Sequence, residues 1–315
     1  MSTASSAPEG IVLVDKPEAW TSHDVVARVR RMFGTRRVGH AGTLDPMATG
    51  LLIVGVNRGT KLLTHLVGLP KSYSATIRLG AATVTDDAMG EVSTVASAAE
   101  VAALTAERID SELARLTGVI QQVPSAVSAI KVNGQRSYAR VRAGEDVHLD
   151  ARWVTVSEFT RRSEVREQPW QGNPCVAVDV WVSCSSGTYV RALARDVGEA
   201  LGVGGHLSAL RRHEVGPFSV ADAHTLPARD EPWDHSAGLV FPLLSLADAA
   251  SRVFPARTLT AEEGAALSYG RPVPASGAEG TVAACSEEGR LIALVRDDGT
   301  LARPVWVASP AGGAS

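Results

Sequence analysis

The stretch from Val38 to Val54, VGHAGTLDPMATGLLIV, constrains the fold most, because it places one carboxylate, Asp45, inside a tight turn. Its glycines permit backbone angles that a side chain would forbid, and Pro46 fixes the backbone just after the acid. A rigid loop that holds a lone acid before an apolar run is a common way to present a catalytic group. An ordinary Asp-Pro turn, with Thr43 or Asp45 capping a short helix at Ala48, explains the same residues, and local chemistry alone favours it.

The residues before this loop predict a strand and a basic helix. The apolar run Gly10–Lys16 is typical of a buried strand, and Pro17 ends it. Thr21 or Ser22 can cap a helix whose apolar face points inward. The other face of that helix carries Arg28, Arg30 and Arg31. Arg36 and Arg37 follow, so we expect phosphate-binding cations close to the Asp45 loop.

After the loop, a short helix is expected from Gly59, and the alternating run 71–80 predicts a half-exposed strand. Tyr73 lies on the inner face of that strand, either as a core aromatic or as a ring on which a base stacks. Asp86 and Asp87 indicate a turn more than a metal site. The apolar spacing from Val92 to Gly118 predicts a helix.

The segment Gln121–Gly144 gathers basic and aromatic residues. Lys131, Arg136, Arg140 and Arg142 surround Tyr138. Such interleaving is typical of nucleic-acid surfaces, and an amphipathic structural helix explains it about as well.

Two strand-like runs, 154–159 and 175–182, precede a Ser-Gly-Thr turn and a helix that begins near Tyr189. Arg191 falls in the first turn of this helix, where the helix dipole disfavours a cation, so we expect an acidic partner. Asp45 fits that role because a guanidinium matches a carboxylate in bidentate fashion. The alternative is that Arg191 pairs with its neighbour Asp196 or with solvent.

The charge distribution is uneven. The net charge is −3, but residues 11–80 hold ten Lys and Arg against four acids, whereas residues 221–315 hold seven Arg against twelve acids. The basic region contains the Asp45 loop, as a polyanionic partner would require. A solvated basic helix face explains any single cluster at least as well.

Several functional classes are disfavoured. The longest apolar runs are far below the roughly 20 residues of a membrane span, so we expect a cytoplasmic protein without membrane contact. The three cysteines are widely spaced, and phosphate-loop, dinucleotide, zinc-protease and nucleophile-elbow motifs do not occur. We therefore expect no metal and no organic cofactor.

Five ordered blocks within residues 10–218 carry a family resemblance. They read DKPEAWTSHDVV, RRVGHAGTLDPMATGLLIV, KSYSATIRLGAATVTDDAMG, SAIKVNGQRSYARVRAG and CSSGTYVRALARDVGEALGVGGHLSALRRHEVGPF. In this order they resemble the TruB family of tRNA pseudouridine synthases. The resemblance implies an α+β pseudouridine synthase fold, with a central, mainly antiparallel mixed sheet flanked by helices and loops.

The expected domains are a catalytic domain at 10–220, a linker or peripheral wrap at 221–246, and a small β-rich domain at 247–309. The short β-like runs 281–285, 291–296 and 305–308 predict the last domain. It resembles the PUA-like RNA-binding domain of the family.

The resemblance also implies residue roles. Asp45 would be the catalytic aspartate, Tyr73 the base-stacking aromatic, and Arg191 the arginine that pairs with Asp45. His40 would hold the RNA loop and Leu210 would line the pocket. The expected RNA-facing or substrate-binding cations are Lys16, Lys131, Arg36, Arg37, Arg211 and Arg212.

The implied reaction breaks the N1–C1′ bond of uridine 55 in the tRNA T-loop, rotates the uracil and rejoins it through C5. The expected partner is tRNA, through its T-loop and T-stem, and the expected state is a monomer. An RNA-binding module or tRNA-folding chaperone without catalysis is one alternative. A guide-RNA-dependent relative is another, which we do not expect because the tail 310–315 carries no charge.

Overall fold

The computed structural model describes residues 8–125, 131–132, 135–136, 149–231 and 241–312. Within these ranges the helices are α1 (Ser22–Phe33), α2 (Gly59–Leu66), α3 (Ala98–Ala102), α4 (Ala106–Arg115), α5 (Val190–Ala200), α6 (Leu246–Ser251) and α7 (Ala261–Ser268). The strands are β1 (Gly10–Lys16), β2 (Val38–Ala41), β3 (Thr49–Val56), β4 (Lys71–Leu79), β5 (Ala81–Thr83), β6 (Val92–Val95), β7 (Gly118–Gln122), β8 (Lys131–Val132), β9 (Gln135–Arg136), β10 (Arg152–Arg161), β11 (Arg166–Glu167), β12 (Val176–Cys184), β13 (Gly205–Val215), β14 (Phe218–Ser219), β15 (His224–Thr225), β16 (Ala256–Thr258), β17 (Val273–Pro274), β18 (Thr281–Cys285), β19 (Leu291–Asp298) and β20 (Leu301–Val307).

The described chain divides into two compact units. The first combines residues 8–46 and 50–67 with the described residues from 216 onward. In it, β1 pairs antiparallel with β3 and parallel with β15, while β2 pairs antiparallel with β3. The predicted buried strand at Gly10–Lys16 is therefore confirmed, and β1 has a partner on each side.

Helix α1 covers one side of these strands. Thr21 is its N-cap and forms a reciprocal capping box with Asp24, in which each side chain accepts from the other backbone N–H. Val25 and Val29 are buried in the core of this unit. The prediction that Arg28 lies on the outer, basic face of this helix is wrong. Arg28 is buried, because its position on the helix turns its side chain inward with the apolar face.

The segment 221–246 contributes to the same core. Its described residues Leu226 and Phe241 are buried there, and Leu244 pairs with Ile11 of β1 through backbone hydrogen bonds of 2.8 and 2.9 Å. These residues of the expected linker or wrap are therefore attached to the core of the first unit by buried apolar side chains and by main-chain hydrogen bonds.

A second, five-stranded sheet in this unit has the order β16-β18-β19-β20-β17. Its core includes Leu267 of α7, Val282 of β18 and Ile292 of β19. The three β-like runs predicted between residues 281 and 308 are confirmed as strands β18, β19 and β20, with β20 beginning earlier than expected.

The second unit contains residues 47–49 and the described residues from 68 to 215. Its strands follow the order β13-β4-β12-β10-β7, and every neighbouring pair is antiparallel. The predicted alternation in β4 is confirmed, since its odd-numbered residues are buried and Ser72, Ser74 and Thr76 are half-exposed. Helix α5 packs on β13, and α4 packs on β10.

The predicted single helix from Val92 to Gly118 is wrong. Val92–Val95 forms β6, which pairs with β5, and two separate helices follow. Ser97 and Thr105 each cap one of these helices, accepting a hydrogen bond from the backbone N–H three residues later. Because Ser97 and Thr105 each begin a new helix, the predicted run contains two short helices. The spacing of apolar residues alone does not detect the second start.

In the described part of the chain, no helix is both long enough and apolar enough to cross a membrane.

Candidate active site

The loop that carries Asp45 is held at the residues on both sides of the acid. Ser22 accepts a hydrogen bond from the Leu44 backbone N–H (2.9 Å), and its hydroxyl donates to the Leu44 carbonyl (3.2 Å). The Pro46 carbonyl accepts from the Ala19 N–H at 2.9 Å. Asp45 itself is half-buried. Its carboxylate therefore projects from a backbone that is fixed just before and just after it.

The alternative is right about the Asp-Pro turn but wrong about a short helix at Ala48 capped by Thr43 or Asp45. The backbone passes through a turn at Pro46 and Met47 and enters β3 at Thr49 without a helical residue. Leu44 and Ala48 are buried on either side of Asp45, so apolar packing anchors the turn.

Lys16 supports the same loop. It ends β1, is fully buried, and donates from Nζ to the carbonyls of Pro17 (2.9 Å), Trp20 (2.6 Å) and Pro46 (3.2 Å). Three carbonyls match the three protons of an ammonium group. The expectation that Lys16 faces RNA is wrong for this structure, because the side chain is directed at the backbone that flanks Asp45.

A basic surface lies close to the loop in sequence and in the same unit. Arg36 and Arg37 are exposed, as a phosphate contact requires. His40 lies in β2 opposite Val54, is half-buried, and meets the His23 ring edge-on with centroids 6.0 Å apart. These residues could contact a polyanion that approaches the first unit.

In the second unit, Tyr73 and Leu210 share one sheet face. Tyr73 is 7% exposed and lies opposite Arg212, and Leu210 lies opposite Ala75, two residues further along β4. Directly opposite residues of antiparallel strands point to the same side. Arg212 is 1% exposed, so the expectation that it faces RNA is also wrong here. Arg211 is half-buried.

Arg191 is fixed by an acid that the sequence analysis assigned only to a turn. It lies in the first turn of α5, is buried, and donates from one guanidinium nitrogen to the Thr85 carbonyl (2.7 Å). The same nitrogen lies 3.3 Å from Oδ2 of Asp87. Oδ1 of Asp87 accepts from the Thr85 hydroxyl (2.6 Å) and the Met89 N–H (3.0 Å). The pair is rigid, since both partners are held by further hydrogen bonds.

A second ion-pair group adjoins it. Arg195, one helical turn after Arg191, lies 3.3 Å from Asp86 and 2.7 Å from Asp196, and it donates to the Val123 carbonyl (2.8 Å). Asp196 is therefore an ion-pair partner of Arg195, although we expected it as the alternative partner of Arg191. Burial raises the pKa of the Asp86 carboxyl, and the nearby guanidinium opposes that shift.

The expected turn at Asp86 and Asp87 is confirmed. Asp86 has a φ of 60°, a left-handed conformation that Asp tolerates better than most residues. Among the described residues, no group of three or more His, Cys, Asp or Glu is placed to hold a metal ion.

Lys131 lies in β8 opposite Arg136 of β9. The expected RNA-surface residues Tyr138, Arg140 and Arg142 lie outside the described residues.

Comparison with known proteins identifies the family. The N-terminal domain model of the TruB family pseudouridylate synthases matches residues 30–190. A tRNA pseudouridine synthase II C-terminal model matches residues 254–309, and a tRNA pseudouridylate synthase B C-terminal model matches residues 191–231. The chain belongs to the TruB family.

Full-length relatives of this TruB-family chain are similar throughout. The tRNA pseudouridine synthase B of an Arthrobacter species is 52% identical over 310 residues, which cover 96% of this chain and 97% of the relative. The protein of the same name from Mycobacterium bovis is 50% identical over 307 residues, covering 98% of each chain. The predicted family and the predicted enzyme class, a pseudouridine synthase, are confirmed.

Solved structures confirm the pseudouridine synthase fold. A chain of an H/ACA RNP bound to a substrate RNA containing 2′-deoxyuridine aligns with a TM-score of 0.67 and 22% identity, covering 96% of this chain and 86% of that chain. A chain of a Cbf5-Nop10-Gar1 complex aligns with a TM-score of 0.67 and 25% identity, covering 96% and 85%. The TruB-family chain thus has the expected α+β class with a mainly antiparallel sheet.

Asp87 is the site residue that sequence reasoning missed. A signal was present, because Thr85, Asp86 and Asp87 form a polar turn beside the predicted inner strand. A turn assignment identifies the backbone shape but not the arginine that its carboxylate holds.

Proposed function

We propose that this TruB-family chain isomerises uridine to pseudouridine in the T-loop of tRNA, at uridine 55. The similarity to relatives named tRNA pseudouridine synthase B over nearly the whole chain supports the substrate class. The observation that carries the proposal is the Asp45 loop, which is fixed on both sides and leaves the acid half-buried.

Asp45 is the catalytic carboxylate in this proposal. It attacks C1′ or the base, or it stabilises the charge that develops on the sugar as the N1–C1′ bond breaks. A fixed backbone favours such chemistry, because a group that is already oriented loses little freedom at the transition state. Lys16 contributes by holding the Pro46 carbonyl next to the acid.

Arg191 and Tyr73 complete the catalytic set. The predicted pairing of Arg191 with Asp45 is part of the proposal, and the ion pair with Asp87 keeps the guanidinium in a defined position. Tyr73 stacks on the uracil and takes part in proton removal, with the buried Leu210 on the same sheet face. No cofactor is needed for these steps.

The tRNA binds to the basic surface of the first unit in this proposal. Arg36 and Arg37 supply exposed charges there, and His40 contacts the T-loop of the RNA. Lys131 and Arg211 are further proposed RNA contacts. The target uridine must leave its stack, at a cost of a few kcal/mol that is smallest in a loop. We propose that the chain acts as a monomer in the cytoplasm, where its tRNA substrate is, and needs no guide RNA.

The decisive test incubates unmodified tRNA transcript with protein alone and maps pseudouridine. Wild type is expected to modify one T-loop uridine, and Asp45→Asn is expected to make no product while binding tRNA with a similar Kd. Product from Asp45→Asn would remove Asp45 as the catalytic acid. Tight binding without product by wild type would favour the chaperone, and product only with added guide RNA would favour the guide-dependent alternative.

A further inference from the structure

Gln122, the last residue of β7, is a buried glutamine that contacts the start of α5. Its side chain belongs to a residue that is only 2% exposed. Its Oε1 accepts from the Tyr189 backbone N–H at 2.8 Å, and its Nε2 donates to the Tyr189 carbonyl at 3.1 Å. Burying a carboxamide is costly unless it is hydrogen-bonded, and both ends of this one are. Gln122 therefore makes a specific contact with a residue 67 positions away in the chain.

The backbone conformation of Tyr189 allows this two-point contact. Its φ of −100° and ψ of 105° are extended, so its N–H and C=O point to the same side of the chain. One planar carboxamide can then bond to both groups, as a neighbouring residue does in an antiparallel strand pair. With the amide turned over, its oxygen would face the carbonyl and its NH2 would face the N–H. Only the observed orientation pairs each donor with an acceptor.

The contact is made at the N-cap of α5, which is Tyr189. Backbone N–H groups at a helix start have no partner within the helix, and tyrosine is not among the residue types that cap with their own side chains. Gln122 satisfies the N-cap N–H from another strand, as the N3 acid of a capping box does from within the helix. The Tyr189 carbonyl also accepts the first helical hydrogen bond, from the Leu193 N–H at 3.2 Å. Gln122 thus fixes the residue at which α5 begins.

A second contact joins the end of β7 to α5 further along the helix. Arg195 donates to the carbonyl of Val123 at 2.8 Å, and Val123 directly follows Gln122. Arg191 lies between Tyr189 and Arg195 in the helix sequence. The end of β7 therefore contacts α5 both before and after this arginine, and the backbone of Arg191 is located independently of the ion pair that its guanidinium forms.

We propose that Gln122 is a positioning residue for Arg191, because it fixes the first turn of α5 from which the guanidinium extends into the catalytic set. Gln122 bonds to the backbone only two residues before Arg191, so a shift of the helix start is passed on to the arginine. A misplacement of about 1 Å in a catalytic group can cost on the order of 10²-fold in rate. This inference deepens the proposed function and rests on it for the role of Arg191.

The first experiment asks, without RNA, whether Gln122 and the ion pair of Arg191 with Asp87 depend on each other. Gln122→Met keeps an unbranched side chain of similar length but removes both hydrogen bonds. Calorimetry measures the decrease in Tm caused by Asp87→Asn in the wild-type chain and again in Gln122→Met. We expect the decrease to be smaller in Gln122→Met by about 2 °C or more, because Arg191 is then held less firmly against Asp87.

Gln121→Met is the matched control, since Gln121 precedes Gln122 in β7 and is exposed. Asp87→Asn should lower Tm equally in Gln121→Met and in wild type. An equal decrease in Gln122→Met as well would show that the two sites are independent, and it would overturn the inference. Gln122→Asn, which is one methylene too short to keep both hydrogen bonds, replaces Gln122→Met if that protein does not fold. This readout needs no catalysis, so it decides the inference even if wild type makes no pseudouridine and the proposed function fails.

The second experiment measures the single-turnover rate at saturating protein and the tRNA Kd. Gln122→Met is expected to lower the rate by about tenfold or more and to leave Kd unchanged. In an Arg191→Lys background the same substitution should lower the rate by a smaller factor, because the group through which Gln122 acts has already been changed. An equal loss of rate in both backgrounds would show a merely structural role and contradict the inference, as would a loss of tRNA binding with an unchanged rate.

Discussion

The ion pair between Arg191 and Asp87 gives the sharpest stability prediction. Both side chains are almost fully buried, at 5% and 7% exposure, with 3.3 Å between Nη1 and Oδ2. Asp87→Asn keeps an oxygen that can accept from Thr85 and Met89 but removes the negative charge beside the guanidinium. Removing one partner of a buried pair costs about 3–5 kcal/mol, because the buried Arg191 guanidinium loses a carboxylate at 3.3 Å.

That cost is measurable as a change in Tm. For a protein of this size, each kcal/mol of destabilisation lowers Tm by about 2–4 °C. The lower bound of about 3 kcal/mol therefore corresponds to a decrease in Tm of roughly 6–12 °C. The assay is calorimetry of the full chain, with urea unfolding as an independent measure of the free energy of unfolding.

A matched control lies in the same unit. Asp110 accepts two hydrogen bonds from Arg161, at 2.9 and 2.8 Å, but its side chain is 47% exposed. Exposed pairs are worth only about 0–1 kcal/mol, so Asp110→Asn should lower Tm by at most about 4 °C. Equal decreases for Asp87→Asn and Asp110→Asn would refute the reasoning that burial sets the cost.

Two further predictions concern a helix contact and a titration. A Cβ on Gly198 of α5 would lie 2.1 Å from a backbone nitrogen of β13, so Gly198→Ala should lower the free energy of unfolding by about 1–3 kcal/mol, as measured by urea unfolding. A Cβ on Gly264 of α7 would meet open space, so Gly264→Ala should raise the free energy of unfolding by roughly 0.5–1 kcal/mol. Destabilisation by both would contradict the packing argument. The pKa of Lys71 falls from 10.5 to about 8 on folding, so the folded chain binds fewer protons in that window and stability should rise as pH rises from 8 to 10.5. The rise amounts to roughly 3 kcal/mol, and Lys71→Met should flatten it. If calorimetry shows an equally steep rise in Lys71→Met, Lys71 is not the group that causes the pH dependence.

Local signals in the sequence predicted much of the fold. The alternation in β4, the apolar run of β1 and the cap at Thr21 depend on neighbours within a few residues, and the structure confirms all three. The helix expected from Val92 to Gly118 fails because β6 is a strand only through its pairing with β5, a contact outside the local window.

The candidate site divides in the same way. The ordered motif blocks by themselves determined the family, and they singled out Asp45, whose Gly, Thr and Pro setting is written in consecutive residues. Only the tertiary structure decided the partners. Asp87 reaches Arg191 across 104 positions of chain, and the carbonyl of Pro46 reaches Lys16 across 30.

The physical reason is that a buried charge must find compensating groups wherever the fold brings them. A lysine or arginine looks alike in sequence whether it faces solvent, as Arg36 does, or lies inside, as Lys16 and Arg212 do. Backbone shape is determined by residues next to each other, and the environment of a charge is determined by residues that meet only after folding.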